Sequence, residues 1–462
     1  MDFLKIIFKD TVIYSLVTFL GKFINYLLIP FLSRYICPSD FGIISTIYAY
    51  IAILNIIYNY GMEVTYFRFG QEKGKEIKTL ILYTTIFFSI ITFFIFQRLN
   101  FFPDYAIYII LILVVDTLSL IPFAELKNNR NLKKYSFLKL LQTISNIVFI
   151  VLFLKFFHLE TIKFYLISNI LANIIILPFL TPFEIGKINK KDVYELLSFS
   201  LPLMFVNLIG EVNSKWMILS LDFFLPSDFY SDISKNTIIG MVSMNCKIAT
   251  VIGICITSFR SAFDSMIFKK ENDNVVVHQQ TMHYLIIVIS FIWFALSINR
   301  NLIAEIFFKN EIYKQGLIVI PFMGFYHICN GIYYTISIYF KKINKTIFNF
   351  IFAIASLLTN VILSMILIPH IGYIGSLIAN ISGISLAIIL AYWGNSIKYK
   401  KRDIIWLIVP TVIMFIHDLF IKNFLITILV TFIYFCCVLF FLYKNDIKLR
   451  SFINSKKKDL IV

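Results

Sequence analysis

Charged side chains are what this sequence has least of. Asp, Glu, Lys and Arg together make up 15% of its 462 residues, whereas soluble domains carry about 25%. A chain of this length with so little charge cannot cover a surface that faces water. Hydrophobic residues reach 59%, and the mean hydropathy is +0.83. These values exclude an ordinary soluble protein and predict an integral membrane protein.

Motifs of catalysis are also missing. The sequence contains no Walker A loop, no GxSxG, no HExxH and no DxD pair in a loop. Its six cysteines and its histidines are scattered, without the spacing of a zinc site or a redox pair. We therefore expect no enzyme activity, no metal and no cofactor. Nucleotide hydrolysis by this chain is not expected as an energy source.

Long apolar runs fill the sequence. A helix needs about 20 mostly apolar residues to cross the hydrocarbon core of a bilayer. By that rule the sequence predicts fourteen transmembrane helices, although the last two are short and adjacent, which leaves twelve or thirteen open. The spans are 11–33, 41–66, 77–97, 103–124, 136–157, 161–181, 196–220, 237–262, 281–299, 315–340, 346–368, 371–393, 403–420 and 424–443.

Basic residues are concentrated in alternate loops. With the N-terminus in the cytoplasm, the cytoplasmic segments hold roughly threefold more Lys and Arg than the outer loops. This asymmetry predicts an inner-membrane protein with both termini in the cytoplasm. It also explains the net charge of +16 as a topology signal rather than a nucleic-acid surface. The loops are short, and the basic C-terminal tail is expected to anchor to anionic lipid.

A tetrapeptide occurs twice at equivalent places. Pro-Ser-Asp-Phe follows the first span at residues 38–41 and the seventh span at residues 226–229. Chance remains an alternative for so short a match, but its position favours duplicated halves, a common plan among transporters. We predict a six-helix bundle over residues 1–190, a second over 191–395, and two extra helices with a basic tail over 396–462.

Several cations lie inside predicted spans, where a charge costs about 2.5 kcal/mol or more and usually faces a cavity or a partner. Lys22, Lys247 and Arg260 are candidates for binding an anionic substrate. Asn25 follows Lys22 by three residues and shares its helix face. Arg260 and Lys247 have the alternative of reaching to the headgroups. For Arg260, pairing with Asp264, one turn further along the helix, is another alternative.

Lys215 is a further candidate for the substrate site, with a competing interpretation. Glu211 precedes it by four residues, so the two side chains can neutralise each other on one helix. The intramembrane acids Asp116 and Glu63, together with His327, are candidates for coupling transport to a Na⁺ or H⁺ gradient. The pattern does not decide between these ions.

The opening of the second span carries a resemblance to a known family. The run LLIPFLSRYICPSDFGIISTIYAY resembles the polysaccharide and O-antigen flippases of the multidrug/oligosaccharidyl-lipid/polysaccharide exporter superfamily. The segment LSFSLPLM looks like the start of the family's second half. The segments SFRSAFDSMIF, NGIYYTISIYFKKINKT and LIPHIGYIGSLIAN are similar to segments common in members involved in lipopolysaccharide biosynthesis. The sequence departs from the family pattern at Ser214-Lys215, where many relatives have Asp-Arg, and at Asp264-Ser265, where Glu-Pro is common.

The resemblance implies two six-helix bundles related by pseudo-two-fold symmetry around a cationic cavity. It implies transport of an oligosaccharide linked to undecaprenyl pyrophosphate, with the membrane lipid and glycan polymerase machinery as expected partners. Two alternatives stay open. One is a cation-coupled multidrug exporter of the same fold, which would favour an acidic cavity. The other is a membrane glycan polymerase or ligase, which would need a larger outer loop.

Overall fold

Helices account for the secondary structure of the described part of the chain. The computed structural model describes residues 20–21, 23–156, 161–181, 184–267, 275–343, 345–395, 401–420 and 424–445. The first eight helices are α1 (Ile29–Tyr35), α2 (Pro38–Asn59), α3 (Met62–Arg98), α4 (Ala106–Asn128), α5 (Leu132–Phe156), α6 (Thr161–Ile176), α7 (Lys190–Phe224) and α8 (Lys235–Ile267).

Eight more helices follow along the chain. They are α9 (Val275–Ile298), α10 (Arg300–Phe307), α11 (Glu311–Lys314), α12 (Val319–Lys342), α13 (Ile347–Ile371), α14 (Tyr373–Trp393), α15 (Ile405–Phe420) and α16 (Phe424–Asn445). Short 3-10 turns lie at Leu177–Phe179 and Lys401–Ile404. The predicted spans after the first all fall on these helices, which confirms the all-α membrane fold.

By length and apolar composition, eight helices in the described residues can cross a membrane, or nine if the bent pair at Met282–Ile298 and Arg300–Phe307 forms one span. Large apolar side chains cover outward faces, as on α13, where Leu358, Ile362 and Met365 are more than half exposed. A patch of this kind would not persist in water. Lipid is therefore the solvent of these faces, and the protein crosses the membrane several times.

Local sequence explains where the helices begin and break. Pro38 starts α2, at a position where its missing N–H costs no hydrogen bond. Gly61, with φ of +79°, separates α2 from α3 because a left-handed residue cannot continue a helix. The Asn189 side chain accepts a hydrogen bond from the backbone N–H of Asp192 and so caps α7.

Two features of the loops differ from the sequence prediction. The segment between the ninth and tenth spans, predicted as a plain outer loop, contains the helices α10 and α11, and α10 bends by 65° from α9. The α3 helix runs past the predicted end of the second span and carries a non-helical residue, Lys73, at the turn into the third. Hydropathy does not detect α10, because it is short and amphipathic.

One end of the molecule holds the connections around residues 60–76, 128–132 and 177–190, and we call it the basic end. Ion pairs join these connections to each other. Lys127 contacts Glu63 at 2.6 Å, and Lys73 contacts Asp192 at 2.8 Å. The opposite end holds the connections around residues 36–38 and 308–318, where the Tyr313 hydroxyl donates to the carbonyl of Ile36.

The connection between α6 and α7 is fastened to α3 at the basic end. The backbone N–H of Gly186 donates to the Thr79 hydroxyl, which in turn donates to the Gly186 carbonyl oxygen. Nearby, Lys75 lies 2.9 Å from Glu184, and the hydrogen bond from its ammonium lowers the pKa of that exposed carboxyl. This connection therefore follows α3 closely.

At the opposite end, α2 and α8 are in backbone contact. A Cβ on Gly42 would fall on the carbonyl oxygen of Asn236, and a Cβ on Gly240 would fall on that of Pro38. Only glycine permits this approach of two helices. The two predicted halves of the chain are therefore closed against each other at this end.

Polar contacts attach α15 to α9 and α10, and ring packing attaches α16 to α9. His283 lies 2.6 Å from Asp403 in a buried contact just before α15, and Arg300 lies 2.8 Å from Asp418. Tyr434 of α16 packs against Phe294. The extra helices thus join the second half of the chain.

Candidate functional site

A cavity of about 420 Å³ lies between α1, the helical residues just before it, α8 and α12. We call it the cationic cavity because Lys247 and Arg260 line it, with His327 beside them. Asn25 and Tyr26 contribute from the helical residues just before α1. The cavity therefore brings together residues from both predicted halves of the chain.

One face of α8 forms the longest wall of this cavity. Lys247, Thr250, Ile254, Thr257 and Arg260 line it at steps of three or four residues, which is the spacing of a single helix face. At a rise of about 1.5 Å per residue, this wall is about 20 Å long. Two cations thus stand at its two ends with hydroxyl groups between them.

The Lys247 ammonium forms no ion pair with the described residues, because no carboxylate among them lies within 4.0 Å of its Nζ. Its aromatic neighbour is Phe41, whose ring centre lies 4.8 Å from Nζ, a cation–π contact. A charge held this way inside a membrane protein favours a site that receives an anion.

Arg260 is held in place by α12. Its Nη2 donates to both the backbone carbonyl and the side-chain oxygen of Asn330, at 3.1 and 2.5 Å. Its guanidinium carbon lies 4.1 Å from the ring centre of Tyr334. Asn330 and Tyr334 are both neutral, and they orient the guanidinium.

The other two cations predicted for the substrate site, Lys215 and Lys22, are not among the residues that line the cationic cavity in the described part of the chain. Lys215 lies 3.7 Å from Glu211 and lines neither of the two cavities described here. This contact agrees with the competing interpretation, in which Glu211 and Lys215 neutralise each other on one helix. Lys22 lies outside the described residues, while its neighbour Asn25 does line the cationic cavity.

A second cavity, of about 490 Å³, lies within the first half of the chain. We call it the amide cavity, because asparagine and glutamine dominate its wall. The amides are Asn25, Asn55, Asn59, Gln142, Asn146, Asn169 and Asn173. Asn25 lines both cavities, so the two meet just before α1.

Asp116 is the centre of the hydrogen bonds in the amide cavity. One of its carboxylate oxygens accepts from Asn55 at 3.1 Å, and the other accepts from Asn173 at 2.7 Å. Asn173 donates in addition to Asn169 and accepts from Gln142. Each oxygen of this candidate coupling residue thus accepts one amide N–H group.

The remaining charges of the amide cavity balance. Glu63 pairs with Lys127 at 2.6 Å, and Lys139 lies 4.0 Å from the ring centre of Phe123. With Asp116, the cavity wall carries two carboxylates and two ammonium groups. Its formal charge is therefore zero, in contrast to the cationic cavity.

Sequence inspection finds part of this arrangement. Asn25, Lys247, Arg260 and His327 come together at the cationic cavity, whereas Asp116 and Glu63 line the amide cavity. Sequence inspection does not single out three further groups of the cationic cavity as site residues, namely Thr250, Thr257 and Asn330. The spacing of the two threonines from Lys247 on one helix face is the signal that could have identified them.

The fold defines the class of protein: an all-helical membrane protein that crosses the membrane several times. Its structure is similar to that of the lipid II flippase MurJ in an inward closed conformation, with a TM-score of 0.73 and 16% identity over 94% of this chain and 99% of that one. It is also similar to the MATE multidrug transporter DinF-BH, with a TM-score of 0.56 and 14% identity over 87% and 96% of the two chains.

At the sequence level, residues 7–228 match the family described as polysaccharide biosynthesis protein. A Haemophilus influenzae protein of the Lsg locus is 23% identical over 284 residues, which cover 59% of this chain and 69% of that protein. These matches confirm the resemblance to the polysaccharide exporters that the sequence motifs indicated.

Proposed function

We propose that this protein is a flippase that moves an oligosaccharide linked to undecaprenyl pyrophosphate from the cytoplasmic to the periplasmic leaflet of a bacterial inner membrane. The pathway we assign is the biosynthesis of polysaccharide, such as O-antigen or lipopolysaccharide. The observation that carries the proposal is Lys247, an ammonium without a carboxylate partner among the described residues, in a cavity shared by the two halves.

The chemistry of the headgroup explains why such a cavity is needed. A pyrophosphate cannot enter hydrocarbon unaided, because the loss of its hydration costs far more than thermal energy. Lys247 and Arg260 replace that hydration with charge and hydrogen-bond donors, and Arg260 offers a planar fork that suits phosphate oxygens. Asn25 adds a further polar group from just before α1, and Lys22, three residues earlier in the sequence, joins it in the proposal.

The helix contact that closes one end of the molecule supports an assignment of its conformational state in the transport cycle. Gly42 and Gly240 bring α2 and α8 into contact away from the basic end. The excess of basic residues in alternate loops assigns the basic end to the cytoplasm. In the proposed cycle, this conformation is closed toward the periplasm, and transport requires α2 and α8 to separate there.

No step in this cycle breaks or forms a covalent bond. The protein needs two states of similar affinity for the headgroup, so that neither state traps the lipid. Asp116, Glu63 and His327 remain candidates for coupling to Na⁺ or H⁺. Among these, Glu63 is already paired with Lys127, and both oxygens of Asp116 already accept amide N–H groups.

A deletion tests the proposal against export of cationic drugs, the activity suggested by the MATE fold. Cells without this protein are expected to accumulate the lipid-linked repeat unit and to lose surface glycan. The full chain should restore glycan, and the Lys247→Met variant should not. Normal glycan in the deletion strain, combined with dye efflux by the purified protein in liposomes, would contradict the proposal.

A further inference from the structure

We propose that the amide cavity is a binding site for neutral sugar, which receives the residues of the glycan closest to the pyrophosphate. This inference rests on the proposed function and extends it. The cationic cavity takes the charged headgroup, and the amide cavity takes the uncharged, hydroxyl-rich part of the same substrate. Asn25 lies at the junction, since it lines both cavities.

The size and wall of the amide cavity suit a carbohydrate. At about 490 Å³ it falls within the 300–1,000 Å³ range of small-molecule sites. Sugar hydroxyls donate and accept hydrogen bonds at once, and a side-chain amide does the same with its two ends. The aromatic rings of Phe123 and Tyr135 add apolar surface for the C–H groups of a sugar ring.

Unused acceptors in the wall point to a ligand that donates hydrogen bonds. The side-chain oxygens of Asn59 and Asn146 are buried and accept no hydrogen bond within the described part of the chain. Both residues line the amide cavity. A buried acceptor without a partner costs about 1–3 kcal/mol. A bound hydroxyl group would supply the missing donor.

Electrostatics argues against an ionic occupant. A cation would meet two ammonium groups, Lys127 and Lys139, and its natural ligand Asp116 already accepts N–H donors on both oxygens. A second phosphate would meet the carboxylates of Asp116 and Glu63. A neutral polyhydroxyl ligand meets neither penalty, so the balanced charge of the wall favours sugar.

The test compares two lipids and two cavities. Full-length protein in detergent is titrated with the lipid-linked glycan extracted from deletion cells and with undecaprenyl pyrophosphate that carries no sugar, and binding is read by native mass spectrometry. The Asn59→Leu/Asn146→Leu variant removes the unused acceptors at nearly constant volume. Asn207→Leu, at an exposed asparagine of α7 outside both cavities, is the matched control.

We expect the double variant to bind the glycan-linked lipid about tenfold more weakly, as the loss of two net hydrogen bonds implies, and the sugar-free lipid unchanged. Lys247→Met should weaken both lipids. Wild-type affinity of the double variant for the glycan-linked lipid, or equal weakening of both lipids, would overturn the sugar site. Should the double variant fail to fold, the two single variants are measured in its place.

A different result would instead count against the proposed function. If the wild-type protein binds neither lipid, or if deletion cells accumulate no lipid-linked glycan, the flippase assignment fails and the sugar site fails with it. Binding of both lipids by the wild type together with selective weakening in the double variant supports the two assignments at once.

Discussion

Gly42 on α2 and Gly240 on α8 are in direct backbone contact. A Cβ built on Gly240 would lie 2.9 Å from the backbone nitrogen of Gly42, and the reverse distance is 3.0 Å. This contact closes the end of the molecule opposite the basic end. It also lies next to the first copy of the repeated tetrapeptide and a short way after the second, which start at Pro38 and Pro226.

The first prediction concerns this helix contact. Gly240→Ala places a methyl group on the carbonyl oxygen of Pro38, so α2 and α8 must move apart. Overpacking of this kind costs about 1–3 kcal/mol. We expect a lower unfolding temperature in detergent and reduced glycan export. Gly210→Ala is the control, because nothing lies within 4 Å of its added Cβ. Equal stability of both variants would argue that the contact is loose.

A second prediction separates two lysines that look alike in the sequence. Lys247→Met removes an ammonium that lines the cationic cavity, whereas Lys215→Met removes one that pairs with Glu211. We expect loss of export in the first variant and export close to wild type in the second. Surface glycan is measured at matched protein levels in the membrane. Full export by Lys247→Met would remove that residue from the site.

Arg260 provides the third prediction. Arg260→Lys keeps the charge but loses the planar fork, since a lysine ammonium cannot bind phosphate oxygens side by side. We expect reduced export despite the retained charge. Asn330→Leu should reduce export as well, because Asn330 accepts hydrogen bonds from the guanidinium. Unchanged export in both variants would show that charge alone matters at this position.

The fourth prediction concerns the hydrogen bonds around Asp116. Asp116→Leu leaves N–H groups of Asn55 and Asn173 without their acceptor, and each unpaired buried donor costs about 1–3 kcal/mol. We expect a clear fall in the unfolding temperature of the detergent-solubilised protein. Asp104→Leu, at an exposed acid between α3 and α4, should have little effect. A matching stability of the two variants would contradict a structural role for Asp116.

The sequence by itself determined that the chain is an all-helical membrane protein. Lipid offers no hydrogen bonds to the backbone, so long apolar runs have to form helices, and their lengths reveal the spans. Helix periodicity also made Asn25, three residues after Lys22, a candidate site residue, and Asn25 does line the cationic cavity. The motif around Pro38 and Asp40 indicated the family resemblance that the match over residues 7–228 confirms.

Only the tertiary structure decided which polar groups share a cavity. Asn59 and Asn146 are far apart in the sequence and come together because α2 and α5 line the same cavity. Lys215 and Lys247 carry the same charge within predicted spans, and their different neighbours, Glu211 and Phe41, distinguish them. Helix periodicity fixes the face on which a side chain lies. The packing of separate helices fixes what that face meets.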